Sequence, residues 1–121
     1  MIKDFKFFNE KKYNFEDDPL YHLNVYENMV LGVISYCYRM NLMPVGYQHH
    51  FYESGPGMRN DVNKTMVITD LISHDYFESR HIRIRYELYT INPLTANEMT
   101  EHTFHLAQDV FDNVMERYAN I

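Results

Sequence analysis

The chain has 121 residues, with 17 Asp and Glu against 11 Lys and Arg, so its formal net charge is −6. This length fits a single domain, and the acidic balance argues against nucleic acid as the main partner, because backbone binding needs clustered basic residues. The apolar stretches are shorter than a membrane helix requires, the first residues lack a signal-peptide pattern, and the one cysteine, Cys37, excludes an intrachain disulfide.

Residues 1–18 are predicted to form an N-terminal arm, and residues 19–121 a single domain. The arm mixes lysines with aromatic residues and keeps no regular period. Two interpretations remain open: the arm lies over its own domain, or it docks on a neighbouring subunit. The chain also has 11 Tyr and 8 Met. That surplus is typical of protein interfaces, but a plain bias in composition would produce it too.

The first predicted helix covers residues 19–42. Asp18 can cap it, and Pro19 suits the first helical position because its missing N–H is not needed there. Apolar residues then recur at helical spacing as far as Met40, and Pro44 is expected to end the helix. Cys37 lies on this apolar stripe, so we expect a buried thiol that acts as a small hydrophobic group.

Three strands are predicted next, over residues 45–52, 64–72 and 80–91. A polar loop over residues 54–63 separates the first two, and residues 73–78 are expected to turn the chain. The third strand has the clearest alternation. Its apolar face consists of Ile82, Ile84, Tyr86 and Leu88. The sheet should therefore have one apolar face and one charged face.

A last helix is predicted from Thr95 to the end of the sequence. Thr95 and Glu98 have the spacing of a capping box, and Thr103, Leu106 and Ala107 begin an apolar stripe. The fold class that follows is α+β. It is a two-layer domain in which an N-terminal and a C-terminal amphipathic helix pack on a three-stranded antiparallel sheet, in the order α-β-β-β-α.

No catalytic motif is present, and no cofactor is predicted. His102 and His105 would lie one turn apart on the last helix and are candidate metal ligands. His49 and His50 are adjacent on a strand, so at most one of them could join such a site. A small hydrolase or metal enzyme that uses one of these with His102 and His105 is one hypothesis. Solvated surface histidines are the simpler interpretation.

Charge and loop composition suggest contact surfaces instead. The third strand is basic on its charged face and the last helix is acidic, so the two could meet head to tail between copies. Solvated faces would explain the same charges. The loop could reach a partner or a lumen. The predicted interface residues are Arg80, Arg83, Arg85, Glu87, Tyr89, Gly55, Pro56, Gly57, Met58, Arg59, Asp109, Asp112 and Glu116.

The order of elements resembles the small tail-terminator, or tail-completion, proteins of tailed phages. The matching segments are residues 65–69, residues 81–89 and the predicted helix from Thr95 onward. The resemblance lies in element order and pattern over residues 19–119. It implies a hexameric or similar ring that caps the tail tube and joins it to the head without catalysis. A related neck or connector ring protein would fit the same pattern.

The leading hypothesis is therefore a non-enzymatic virion protein that forms a ring at the phage neck or tail end. It would be assembled in the host cytoplasm. Its expected partners are further copies of itself and neighbouring tail-tube or connector proteins. No membrane partner is expected, and DNA would be met only as it passes through a lumen. The alternative hypothesis is a small phage inhibitor, or sponge, that binds a host defence protein or signal molecule.

Overall fold

The structure, a computed structural model, describes residues 22–54, 62–91 and 97–119. In these ranges a four-stranded antiparallel sheet packs against two helices, in the chain order α-β-β-β-β-α. The predicted α+β class is confirmed, and the prediction of three strands is wrong. The predicted arm over residues 1–18 lies outside the described residues.

Helix α1 covers Val25–Arg39, so the predicted span 19–42 is too long at both ends. The Asn24 side chain accepts a hydrogen bond from the Glu27 N–H at 2.7 Å, and the Glu27 carboxylate accepts one from the Asn24 N–H at 2.9 Å. This capping box fixes the start of the helix. Asp18 and Pro19, the predicted start, lie outside the described residues.

The same helix ends well before Pro44, and Asn41 is the reason. Asn41 has a φ of +57°, and the N–H of Leu42 donates to the carbonyl of Cys37 at 2.7 Å. Together with the Asn41 N–H bond to the Tyr38 carbonyl, this is a Schellman ending. Asn tolerates the left-handed conformation better than most residues, so the helix stops there without the proline.

The sheet order is β1-β2-β3-β4, and each strand pairs antiparallel with the next. Strand β1 covers Gln48–Glu53, β2 covers Val62–Tyr76 and β3 covers Ser79–Ile91. The predicted turn over residues 73–78 is wrong, because β2 and β3 remain paired as far as Tyr76 and Ser79. Only Phe77 and Glu78 form the turn.

A register shift between Ile68 and Asp70 explains why β2 can be so long. Strict alternation from Met66 and Ile68 would direct Asp70 into the core. The bulge moves the alternation by one residue, so Leu71 packs against the core and Asp70 forms an ion pair with Arg83. One extra residue therefore lets a strand with a changed polar pattern keep its apolar side inward.

The segment predicted as the start of the last helix is strand β4, Glu98–Ala107. Phe104 and Leu106 lie opposite Ile84 and Ile82 of β3 and are buried with them. The capping-box prediction is also wrong: Glu98 lies in the strand, and Thr95 lies outside the described residues. Helix α2 begins only at Gln108 and covers Gln108–Ala119.

The hydrophobic core lies between the helices and one face of the sheet. The predicted apolar face of β3 is confirmed, since Ile82, Ile84, Tyr86 and Leu88 are all buried. Burial raises the pKa of Tyr86 to about 12. Cys37 is also buried, as predicted, and burial raises the pKa of its thiol. We call the sheet face away from the helices the open face.

Candidate interaction surfaces

The predicted basic stripe lies on the third strand, but its arginines bind carboxylates of their own chain. Arg83 Nη2 lies 3.1 Å from Asp70 Oδ2, and Arg85 Nη2 lies 2.8 Å from Glu101 Oε2. Near the end of the β2–β3 hairpin, Arg80 Nη1 lies 3.6 Å from Asp75 Oδ1. Much of the positive charge expected to face a neighbouring copy is therefore balanced within the chain.

The other two predicted residues of this strand also interact with each other. The Tyr89 hydroxyl donates a hydrogen bond to Glu87 Oε1 at 2.9 Å. This bond to a carboxylate raises the pKa of the Tyr89 hydroxyl. Both side chains are half-buried on the open face, so they belong to its local hydrogen-bonded surface.

The acidic surface is divided between two elements. Asp109, Asp112 and Glu116 are exposed on α2, whereas Glu101 lies on β4 and serves as the partner of Arg85. Asp109 Oδ1 accepts from the Val110 N–H at 2.9 Å, and Asp112 Oδ1 accepts from the Gln108 amide at 3.1 Å. The single acidic helix of the prediction is therefore wrong, while three of its carboxylates remain on α2.

The predicted histidine clamp is wrong because it needed a helix. On strand β4, His102 and His105 are an odd number of residues apart and point to opposite faces. The His102 ring stacks on Tyr86 with centroids 5.0 Å apart, while His105 Nδ1 lies 3.3 Å from His74 Nε2 on the open face. Among the residues that the structure describes, no group of three or more His, Cys, Asp or Glu could hold a metal ion.

His49 and His50 point to opposite sides of β1, as predicted. The His49 ring stacks on Phe51 with centroids 5.7 Å apart. Burial, followed by the nearby His50, lowers the pKa of His49. His50 Nδ1 lies 2.8 Å from Thr65 Oγ1 on the open face.

A cluster on the open face was missed by the sequence analysis. The His74 ring lies 5.4 Å from His105 and 6.2 Å from His81, between ring centroids. Tyr76 packs edge-on against His81 at 5.5 Å. Tyr76, His81 and His105 also line a cavity of about 520 Å³. Strand pairing brings these residues together from three strands, and spacing along the chain could not reveal it.

Among residues 22–54, 62–91 and 97–119, exposed apolar side chains are concentrated between α1 and β1. We call this surface the α1–β1 patch, and it consists of Tyr38, Met40, Leu42, Met43 and Val45. Met43 is 79% exposed. In the sequence, the signal for this patch is the run of apolar residues on either side of Pro44. These residues directly follow the helix and are not interspersed with charged residues. The predicted helix had absorbed most of this run.

Two further features accompany the patch. A cavity of about 390 Å³ lies beside it and is lined by Met29, Gly32, Val33, Tyr36, Tyr47 and His49. At the turn of the β2–β3 hairpin, Phe77 is 87% exposed and has a φ of +54°. The predicted loop residues Gly55, Pro56, Gly57, Met58 and Arg59 lie outside the described residues.

Comparisons with protein-family models, with curated proteins and with solved structures found no match to this chain. Across residues 22–54, 62–91 and 97–119, neither helix is long and apolar enough to cross a membrane.

Proposed function

We propose that this protein is a non-enzymatic structural subunit that assembles with copies of itself into a ring at the neck or tail end of a phage virion. The proposal of self-assembly rests on the exposed apolar side chains of the α1–β1 patch. The virion setting rests on the resemblance in element order. That resemblance included a helix from Thr95 onward, but residues 98–107 form strand β4. The other two matching segments, residues 65–69 and 81–89, lie in the paired strands β2 and β3.

The patch supports assembly because five large apolar side chains between residues 38 and 45 are exposed. Grouped exposure of apolar side chains is typical of interaction sites. Its composition also fits, since Tyr and Met are enriched where proteins meet. The Schellman ending at Asn41 holds the patch against the end of α1, because the Leu42 N–H is bound to the carbonyl of Cys37.

The open face is a poorer candidate for the main contact. Arg83 and Arg85 are already paired with Asp70 and Glu101. A neighbour's acidic residues would have to compete with carboxylates about 3 Å away. The predicted contact between basic strand and acidic helix therefore becomes secondary to the patch in this proposal.

Size-exclusion chromatography with light scattering, run over a hundredfold range of concentration, tests the proposal. We expect one defined oligomer at high concentration and ring-shaped particles by negative-stain electron microscopy. Binding of this oligomer to purified tail tubes would test the virion assignment. A strict monomer that also fails to bind tail tubes would refute the proposal. A monomer that captures one host protein in equal amounts would support the inhibitor hypothesis instead.

A further inference from the structure

The backbone of Phe77 has a conformation that is unfavourable for a bulky side chain. Phe77 and Glu78 form the two-residue connection of a hairpin closed by the Tyr76–Ser79 pair. Phe77 has a φ of +54°, a conformation in which such turns strongly favour glycine. A bulky aromatic residue at this φ is an outlier. Strain of this kind is concentrated at functional positions, so the side chain calls for an explanation outside the turn.

The hairpin presents Phe77 on a firm and projecting support. In the described part of the chain, β1 pairs with β2 only up to Val67, and β4 pairs with β3 only from His81. The hairpin end therefore extends past both neighbours. The rings of Tyr76 and Phe77 meet edge-on with centroids 4.6 Å apart. This contact limits the freedom of the exposed phenyl ring.

The cavity beside the α1–β1 patch has the size and chemistry to receive such a ring. Its volume of about 390 Å³ exceeds that of a phenylalanine side chain, and its lining is mostly aliphatic and aromatic. Gly32 also lines the cavity, and the Tyr118 ring lies 3.8 Å from where a Cβ of Gly32 would be. The rings of Tyr36 and Tyr47 pack edge-on with centroids 6.1 Å apart and form an aromatic wall of the cavity.

Charges at the two places are opposite. Glu78 is exposed beside Phe77, and Arg39 is exposed on α1, one turn after Tyr36 and on the same side of the helix. Neither Glu78 nor Arg39 has an ion pair with another described residue. By contrast, Arg83 and Arg85 on the open face each have an ion pair within the chain.

We infer that Phe77 of one copy inserts into the cavity beside Tyr36 of the next copy, where Glu78 pairs with Arg39. This inference rests on the proposed self-assembly and adds a second contact, beside the α1–β1 patch. Phe77, the knob, and the cavity are different surfaces of the chain, so each copy can contact one neighbour through Phe77 and another through its cavity, head to tail. Repetition of such a contact closes a ring when the rotation permits.

The first test is Phe77→Gly. Glycine relieves the turn, so we expect the Tm of the monomer to rise by about 4 °C, while the oligomer is lost at concentrations where the unaltered chain assembles. Tyr52→Ser is the matched control, since it removes another aromatic side chain that is 74% exposed. That control should leave assembly unchanged.

The second test separates contact between copies from contact within one copy. Glu78→Arg and Arg39→Glu should each weaken assembly about fivefold, as expected for a partly exposed charge pair. Mixing the two variants in equal amounts should restore assembly, because each knob then meets a cavity of opposite charge. A ring made this way would contain both variants in a 1:1 ratio by native mass spectrometry.

The outcomes distinguish this inference from the proposed function. If Phe77→Gly assembles like the unaltered chain, the inserted knob is refuted and self-assembly through the patch stands. If the mixture stays as dissociated as the single variants, the Glu78–Arg39 pairing is refuted. If the unaltered chain is strictly monomeric, the inference falls, and the proposed function falls with it when the chain also fails to bind tail tubes.

Discussion

The open face and the α1–β1 patch differ in whether their side chains have partners among the described residues of the same chain. On the open face, Arg83 and Arg85 each have a carboxylate of the same chain within about 3 Å. In the patch, Leu42 and Met43 are 46% and 79% exposed, and no described residue covers the rest of their apolar surface. A charge pattern in a sequence cannot distinguish an internal partner from an external one, whereas the exposed apolar side chains of the patch are without a partner in the described part of the chain.

Energetics favours the patch as the stronger contact. Exposed ion pairs contribute roughly 0–1 kcal/mol, because water and salt screen them. Burying apolar surface contributes about 25 cal/mol per Å², so two large side chains of the patch outweigh several exposed pairs. Variants that change each region separately test which of the two mediates contact between copies.

The largest effect is expected from the double variant Leu42→Asp with Met43→Asp. Covering these two side chains in an interface should contribute about 1.5 kcal/mol each, so placing carboxylates there should weaken self-association about 100-fold. The free energy of unfolding of the monomer should change little, because both side chains are exposed. Light scattering over a concentration series measures the first quantity, and urea unfolding measures the second.

Met99→Asp is the control for that prediction. Met99 and Leu42 are equally exposed, at 46%, but Met99 lies on strand β4, away from the patch. Assembly of this variant should match that of the unaltered chain. Equal weakening by Met99→Asp would indicate an interface made by the sheet, and the comparison would then have to be reversed.

A smaller effect, on stability alone, is expected from Glu53→Gln, which breaks an ion pair that is less exposed than those of the open face. Glu53 Oε2 lies 3.0 Å from Lys64 Nζ, and both groups bond to the Tyr26 hydroxyl, which donates to Glu53. Glu53→Gln leaves the largely buried Lys64 ammonium without its carboxylate. We expect a loss of about 1–2 kcal/mol in the free energy of unfolding, with assembly of the folded protein unchanged.

The pH dependence of stability checks the same cluster. The hydrogen bond from Tyr26, followed by the one from Lys64, lowers the pKa of Glu53 in the folded protein. The contribution of Glu53 to stability is therefore present above the ordinary carboxyl pKa and is lost as pH falls through the lowered value. Urea unfolding at neutral and acidic pH should show a smaller acid-induced loss for Glu53→Gln. An identical loss in both proteins would assign the acid sensitivity to other carboxylates.

The sequence predicted those parts of the fold in which local pattern and burial agree. The alternation of Ile82, Ile84, Tyr86 and Leu88 placed β3 correctly, because each second residue is buried against the helices. Strand β4 was not predicted because the position of Leu106 is ambiguous. It lies two residues after Phe104, as in a strand, and four residues before Val110, as in a helix. Pairing with β3 decided between them, and this long-range contact has no local signal.

The candidate surfaces were predicted less well for a related reason. The Arg83 and Arg85 positions were correct, but their partners Asp70 and Glu101 come from the strands on either side. The α1–β1 patch was hidden because Asn41 ends α1 earlier than Pro44 suggested. A left-handed Asn is a weak signal in a sequence, yet it decides which apolar residues remain exposed.

The smallest effect is expected from Arg83→Glu with Arg85→Glu. If the arginines faced a neighbour's acidic helix, as the charge pattern in the sequence suggested, this change would weaken assembly. Their internal pairs now predict a loss of at most about 1 kcal/mol per pair in the free energy of unfolding and no change in assembly. Salt should reduce that loss, because screening acts on the pairs that are removed.

The exchange of Arg85→Glu with Glu101→Arg sharpens this last prediction. If the pair at 2.8 Å is internal in the assembled protein as well, the exchange keeps an attractive pair and should restore most of the stability lost by Arg85→Glu alone. A neighbour that bound Arg85 would instead meet a reversed charge, so assembly would stay weak although the monomer recovered. Stability and assembly measured on the same samples therefore decide whether the open face serves the fold or the contact between copies.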